Sequence, residues 1–249
     1  MNTASLPLML KSLRLPSIAR HWQPLAQCAR DEGRNYEDYL HGLCELELAD
    51  REQRRLARYR QEAKLPPGKS LASFDFTQAR SVNRPQIEAL AQDSSWVKGA
   101  RNLLMFGDSG VGKTHLACAI ADSLIQHGIR VRYVAATDLV QQLQRARSQH
   151  SLDEALNKLD RFELLLLDDI GYVKKDEAET RVVFELIAHR YESRSLAITS
   201  NQPFSDWDQI FTDDVITVAS IDRLVHHATI IEVKEESYRK KVASGELCA

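Results

Sequence analysis

The chain lacks paired cysteines, a charge of one sign, long apolar runs and internal repetition, and each lack removes a class of protein. Its four cysteines, Cys28, Cys44, Cys118 and Cys248, form no C-x-x-C pair and have no histidine at ligand spacing. That excludes a disulfide framework and a zinc ribbon and leaves free thiols in a reducing cytoplasm. The net charge is -2, so any surface for nucleic acid must be a local patch rather than a property of the whole molecule. The aliphatic run Leu164 to Leu167 is far too short to span a bilayer, and no basic n-region leads into an apolar h-region at the N-terminus. A cytoplasmic protein without membrane contact is expected. No repeat or low-complexity tract is present.

What remains is an ordinary globular composition, 43% hydrophobic and 27% charged over 249 residues, enough for one large domain or two modest ones. The stretch Tyr36 to Lys64 carries no proline and one glycine, Gly42, and spaces Tyr39, Leu43, Leu46, Leu56 and Tyr59 as a helix would. Pro66-Pro67-Gly68 then breaks the pattern. This divides the chain into a helical N-terminal domain, 1-68, and a second domain, 69-249. In the second, strand-like segments at Asn102 to Phe106, Ile129 to Ala135, Glu163 to Leu167, Leu196 to Thr199 and Thr229 to Val233 alternate with helical ones at Thr114 to His127, Asp138 to Arg147, Leu152 to Leu159 and Thr180 to Ser193. That rhythm predicts an α/β fold with a doubly wound parallel sheet.

The chemistry is concentrated after the first of these strands. Gly107-Asp108-Ser109-Gly110-Val111-Gly112-Lys113-Thr114, followed by His115, fits G-x-x-x-x-G-K-[ST] between a strand and a helix. Glycines there let the backbone wrap a phosphate with several N–H groups inward, and the helix dipole adds to the anion site. Lys113 is expected on the β- and γ-phosphates of ATP, and Thr114 on Mg2+. A buried strand ending in carboxylates should complete the metal site. Leu164 to Leu167 followed by Asp168 and Asp169 meets that need. Asp168 is expected to hold the metal through water, and Asp169 to orient the attacking water. Asn201, after the strand ending at Thr199, is either a γ-phosphate contact or a loop cap. Arg223, on a later helix, is either a surface ion-pair residue or an arginine delivered to a neighbouring subunit's γ-phosphate. Phe74 and Phe76 either wall the adenine or form the packed face of a strand.

Taken together, the Gly-Asp-Ser-Gly-Val-Gly-Lys-Thr-His-Leu, Leu-Leu-Leu-Leu-Asp-Asp-Ile-Gly, Thr-Ser-Asn and Ile-Asp-Arg-Leu-Val-His-His-Ala segments resemble those of the IstB-type transposition helper ATPases. These belong to the initiator clade of AAA+ P-loop NTPases, beside DnaC-like helicase loaders and DnaA. The resemblance extends over nearly the whole chain. It implies a AAA+ module with ATP at subunit interfaces, Asn201 as sensor 1 and Arg223 as a trans-acting finger. A homo-oligomeric ring or filament would bind and deform double-stranded DNA, largely without regard to sequence, and activate an IstA-like transposase. The short stretch after Val233 implies that the usual helical lid is absent or vestigial. A DnaC-like helicase loader is the alternative. A small-molecule kinase is disfavoured by Asn201 and Arg223 standing in AAA+ order.

For DNA, Arg51, Arg54, Arg55 and Arg58 fall on one helical face and could contact phosphates, or form a plain solvated face. Lys174 and Lys175 are a second candidate. The N-terminal helices up to Tyr59 are either the docking surface for a transposase or simply a helical bundle with an exposed apolar stripe.

Overall fold

The computed structural model describes residues 3–171, 176–209 and 214–238. It divides into two compact units, 1–58 and 59–249, and the dividing point lies inside one helix. The first unit contains α1 (Leu6–Ser12), α2 (Pro16–Asp31) and most of α3 (Tyr36–Ala63). Its small core gathers Leu10, Ile18 and Leu43, with Trp22 and Tyr39 packed against them. The Tyr39 hydroxyl donates to the Trp22 carbonyl at 2.9 Å. Glu47, 3% exposed, accepts from the backbone N–H of Ser17 and Ile18 at 2.9 and 3.2 Å. Its carboxylate thus supplies the acceptor that the exposed N–H groups and positive end of α2 call for.

The second unit takes in the last turns of α3, whose Ala63 is fully buried. It continues through α4 (Arg84–Gln92), α5 (Ser95–Lys98), β1 (Asn102–Gly107), α6 (Lys113–Gln126), β2 (Val131–Ala135), α7 (Ala136–Ser148), α8 (Leu152–Leu159), β3 (Leu164–Asp168), α9 (Glu177–Arg190), β4 (Ser195–Ser200), α10 (Asp214–Val225) and β5 (Ala228–Val233). The five strands form one sheet in the order β2-β3-β4-β1-β5, every pair parallel. The inner strands β1, β3 and β4 are buried on both faces, as helices on both sides require. Leu103 and Met105 of β1 join Leu164 and Leu166 of β3 in the core shared with α4 and α6. Leu104, Phe106, Leu165 and Leu167 face the opposite core, against α7, α8, α9 and α10.

The expected doubly wound α/β architecture is present, and each expected strand appears within a residue or two of its position. The helix expected from Thr180 begins earlier, at Glu177, because Asp176 caps it and Glu179 returns a bond to the Asp176 N–H. Residues 74 and 76 are not in a strand. Phe76 opens a short 3-10 helix, Phe76–Gln78, capped by Asp75.

The strand order places the chemistry. β4 lies between β1 and β3, so the carboxyl ends of the phosphate-loop strand, the acidic strand and the Thr199-Asn201 strand meet along one edge of the sheet. In open α/β sheets that edge is where ligands bind.

Candidate nucleotide site

The loop from Gly107 to Gly112 turns back on itself through three left-handed glycines, Gly107 (φ +143°), Gly110 (φ +87°) and Gly112 (φ +100°). Gly107 is also where the loop meets β5, since a Cβ there would overlap the Val233 carbonyl oxygen. Val111 anchors the loop in the core at 4% exposure, and α6 opens at Lys113 without a side-chain cap. The positive end of the helix dipole there favours an anion. The Lys113 ammonium donates to the Gly107 and Asp108 carbonyls at 2.7 and 2.8 Å, which holds it across the mouth of the loop.

Beside it, Asp168 at the end of β3 is held by three hydroxyls. Thr114 and Thr199 donate to its Oδ1, each at 2.7 Å, and Tyr133 donates to its Oδ2 at 2.8 Å. Burial and the Asp168 charge both push the Tyr133 phenol well above its ordinary value, so it remains a proton donor. The Cys118 thiol, one turn along α6 from Thr114, is pushed up to about 12 by burial and then by Asp168. It is an inert thiol, like a core methyl group in its chemistry. Asp169 turns the chain out of the strand at φ +63°, and its N–H donates to Thr199 Oγ1 at 2.8 Å. Thr199 therefore ties both acids to β4. Asn201 follows two residues on, and its Oδ1 is buried without a hydrogen-bond partner among the described residues.

A cavity of about 250 Å3 adjoins the loop, lined by Gly110, Val111, Gly112, Lys113, Thr114 and His115 on one side and by Lys69, Ser73, Phe74, Asp75, Gln78 and Ala79 on another. Phe74 stands over the loop, with its ring edge 2.8 Å from where a Gly112 Cβ would be, and meets His115 edge-on at 5.2 Å. His115 Nε2 lies 2.9 Å from the Ser70 carbonyl. Phe76 does not line the cavity. It packs edge-on behind Phe74 at 4.8 Å with Arg84 over its face. Asp108 and Ser109 are exposed at the tip of the loop, outside the cavity lining.

Four contributors were missed in the sequence. Tyr133 and Thr199 look like ordinary strand residues, and Glu236 and Tyr238 follow the last strand. The latter pair close the cavity, where Tyr238 N–H donates to the Gly110 carbonyl at 3.1 Å. The Glu235 carboxylate fixes the same segment by accepting from the Ser81 N–H at 2.6 Å. No local pattern marks these contacts, because strand order alone brings β5 against β1.

The remaining candidates lie elsewhere. Arg223 is near the end of α10, with its guanidinium over the Phe184 ring at 5.0 Å. It lines a small cleft with Ala100, Asn102 and Leu196, at the amino ends of β1 and β4. At about 3.3 Å per residue, that is the far end of the sheet from Gly107. Arg51, Arg54 and Arg55 are exposed on α3 and engage carboxylates of their own helix: Arg51 and Arg54 meet Glu47, and Arg55 meets Glu52. Arg58 is exposed on the same helix. Lys174 and Lys175 lie outside the described residues, as does Cys248. Among the described residues, no helix is long and apolar enough to cross a membrane.

Residues 8–245 match the family described as IstB-like ATP binding protein. A putative insertion sequence ATP-binding protein of Sinorhizobium fredii is 50% identical over 97% of this chain and 81% of its own. The insertion sequence IS21 putative ATP-binding protein of Pseudomonas aeruginosa is 34% identical over 95% and 89%. In structure, the chain resembles AMPPCP-bound DnaA from Aquifex aeolicus, with a TM-score of 0.57 and 22% identity over 74% of this chain and 56% of that one. It also resembles a DnaC helicase loader, with a TM-score of 0.56 and 21% identity over 71% and 99%. At such identities these two likenesses show a shared fold and nothing of role.

Proposed function

The chain belongs to the IstB-like ATP binding protein family, and from that premise we propose that it is a magnesium-dependent ATPase that assembles on duplex DNA and recruits a transposase. The observation that carries the reading is the joining of Thr114 to Asp168 beside a lysine-closed phosphate loop. The groups that converge there, a threonine hydroxyl and a carboxylate, are hard oxygen donors that fit Mg2+ and not a thiophilic metal. Thr114 and Asp168 would hold the ion, which would supply neutralisation of the charge that develops during phosphoryl transfer.

The chain's own residues do the rest. Gly110, Gly112 and the first turn of α6 wrap the phosphates with backbone N–H groups, and Lys113 moves from its two carbonyls onto the β- and γ-oxygens. Thr114 and Asp168 hold the metal side. Asp169, turned out of the strand, orients the attacking water. The buried, unpartnered Asn201 oxygen suits a side chain that gains its partner when nucleotide and water arrive, since an unmet buried acceptor costs about 1–3 kcal/mol. Phe74 and Tyr238 flank the base. Arg223, at the opposite end of the sheet, cannot serve its own site and is read as a finger for the neighbouring subunit in an oligomer.

The insertion-sequence names of the relatives support a transposition role, with an IstA-like transposase as partner. On the first unit, Leu8, Leu13, Tyr36, Leu40 and Leu48 are exposed apolar side chains, the proposed contacts for that partner. The exposed arginines of α3 are the proposed phosphate contacts. Arg51, Arg54 and Arg55 are discounted by their carboxylate neighbours, so affinity for DNA depends on many subunits acting together.

The test measures nucleotide binding, phosphate release and co-purification. Wild-type protein should bind ATP with magnesium, release phosphate faster with duplex DNA and retain a transposase. Lys113→Ala should lose the binding. Retention of a replicative helicase instead would reassign the partner, and absence of magnesium-enhanced nucleotide binding in folded protein would end the reading.

A further inference from the structure

We infer that Tyr133 is a positioning residue for the proposed metal site, holding the Asp168 carboxylate in one fixed plane beside Thr114. The inference rests on the assignment of Asp168 to the metal and adds to it a residue from a strand that carries no recognised motif.

A carboxylate at a strand end can rotate about its Cβ–Cγ bond, and one held at a single oxygen keeps that freedom. Here both oxygens are held. Thr114 from α6 and Thr199 from β4 donate to Oδ1, and Tyr133 from β2 donates to Oδ2. Three elements thus define the carboxylate plane. The two threonines cannot do this alone, because both act on the same oxygen. Thr114 is itself proposed to bind the metal, where its hydroxyl proton can still go to Asp168. Thr199 has a second duty to the Asp169 N–H.

The geometry also explains why a tyrosine is needed. The β2–β3 register pairs Tyr133 with Leu166 and Ala135 with Asp168. Tyr133 therefore begins two residues, about 6.6 Å along the strand, short of the carboxylate it serves. A phenol has the length to cover that gap, and serine or threonine at 133 would not reach. The ring lies against the same core as Leu164 and Leu166, which fixes its direction. Outer partners that orient a ligating carboxylate typically change metal affinity or activity 10–100-fold when removed.

The test replaces the hydroxyl and keeps the ring. Tyr133→Phe and wild type are compared for Mn2+ affinity of the complex with a non-hydrolysable ATP analogue, read by electron paramagnetic resonance. Analogue affinity in EDTA, melting temperature and the Mg2+ dependence of turnover are measured on the same samples. Metal half-saturation should rise about 10-fold or more, analogue affinity without metal should be unchanged, and kcat should recover at high Mg2+. Tyr133→Leu should show the same metal defect with a lower melting temperature. A folded Tyr133→Phe protein with wild-type metal affinity overturns the inference, as does a defect confined to melting temperature. Loss of metal-enhanced binding in the wild type itself would instead remove the Asp168 assignment beneath it.

Discussion

Replacing Gly107 and Gly112 by alanine separates two jobs that the phosphate loop performs. Both residues have positive φ, +143° and +100°, so either alanine carries a backbone cost of about 1–2 kcal/mol. Beyond that they differ. At Gly107 the new methyl would overlap the Val233 carbonyl, which is backbone of β5 paired to β1 at that position and has no rotamer to adopt. Opening the end of that pair costs at least one further strand hydrogen bond and its packing, so about 3 kcal/mol in all is expected. For a unit of this size, 1 kcal/mol shifts the melting temperature by about 2–4 °C, which gives a fall of about 6–12 °C. At Gly112 the obstacle is the Phe74 ring edge at 2.8 Å, the far end of a side chain that can swing away. Gly112→Ala should therefore melt closer to wild type and lose nucleotide affinity instead, because Phe74 is displaced from the cavity. Scanning calorimetry with and without ATP reads both effects. Phe74→Leu should recover part of the binding in the Gly112→Ala background, and no side-chain change should rescue Gly107→Ala. If Gly107→Ala melts within about 2 °C of wild type, or is less destabilised than Gly112→Ala, then the β5 backbone does not support the loop as described.

Three further outcomes are expected. Asp169→Ala and Arg223→Ala should each bind ATP and each lose phosphate release, and mixing the two should restore part of it; no recovery on mixing would remove the trans role of Arg223. Changing Arg54, Arg55 and Arg58 together to glutamine should flatten the dependence of DNA affinity on salt, by about 0.9 in log–log slope for each phosphate that is no longer neutralised, without altering nucleotide binding. Although burial raises it, the Glu47 carboxyl is held below its ordinary value of 4.5 by the Ile18 and Ser17 N–H groups and Arg51. A group whose folded pKa is depressed stabilises the fold above its unfolded value, and that contribution is lost as pH falls through the folded one. Protection of the Ser17 and Ile18 amides, relative to their intrinsic exchange rates, should fall as pH drops below about 4.5, and in Glu47→Ala it should be lost already at neutral pH; an acid response unchanged by Glu47→Ala would refute the capping role.

The sequence by itself determined the features that are local. Glycines at 107, 110 and 112 before Lys113 and Thr114, after an apolar strand, specify a tight glycine turn leading into a helix, because backbone freedom and helix polarity are written in adjacent residues. The unbroken leucines before Asp168 specify a buried strand with an acid at its edge for the same reason, and the alternation of such segments specifies the layered sheet. Tertiary structure alone decided what crosses between strands. That Tyr133 and Thr199 grip Asp168, and that Glu236 and Tyr238 reach the cavity beside the glycine loop, follow from the order β2-β3-β4-β1-β5 and its register, while the short 3-10 turn at Phe76–Gln78 sets Phe74 in the cavity with Phe76 behind it. The arginines of α3 are legible as a charged face, but their pairing with Glu47 and Glu52 depends on rotamers and on the packing of α2. Arg223 is the clearest case: its residue type suggests phosphate chemistry, and only the direction of α10 places it at the end of the sheet opposite its own loop.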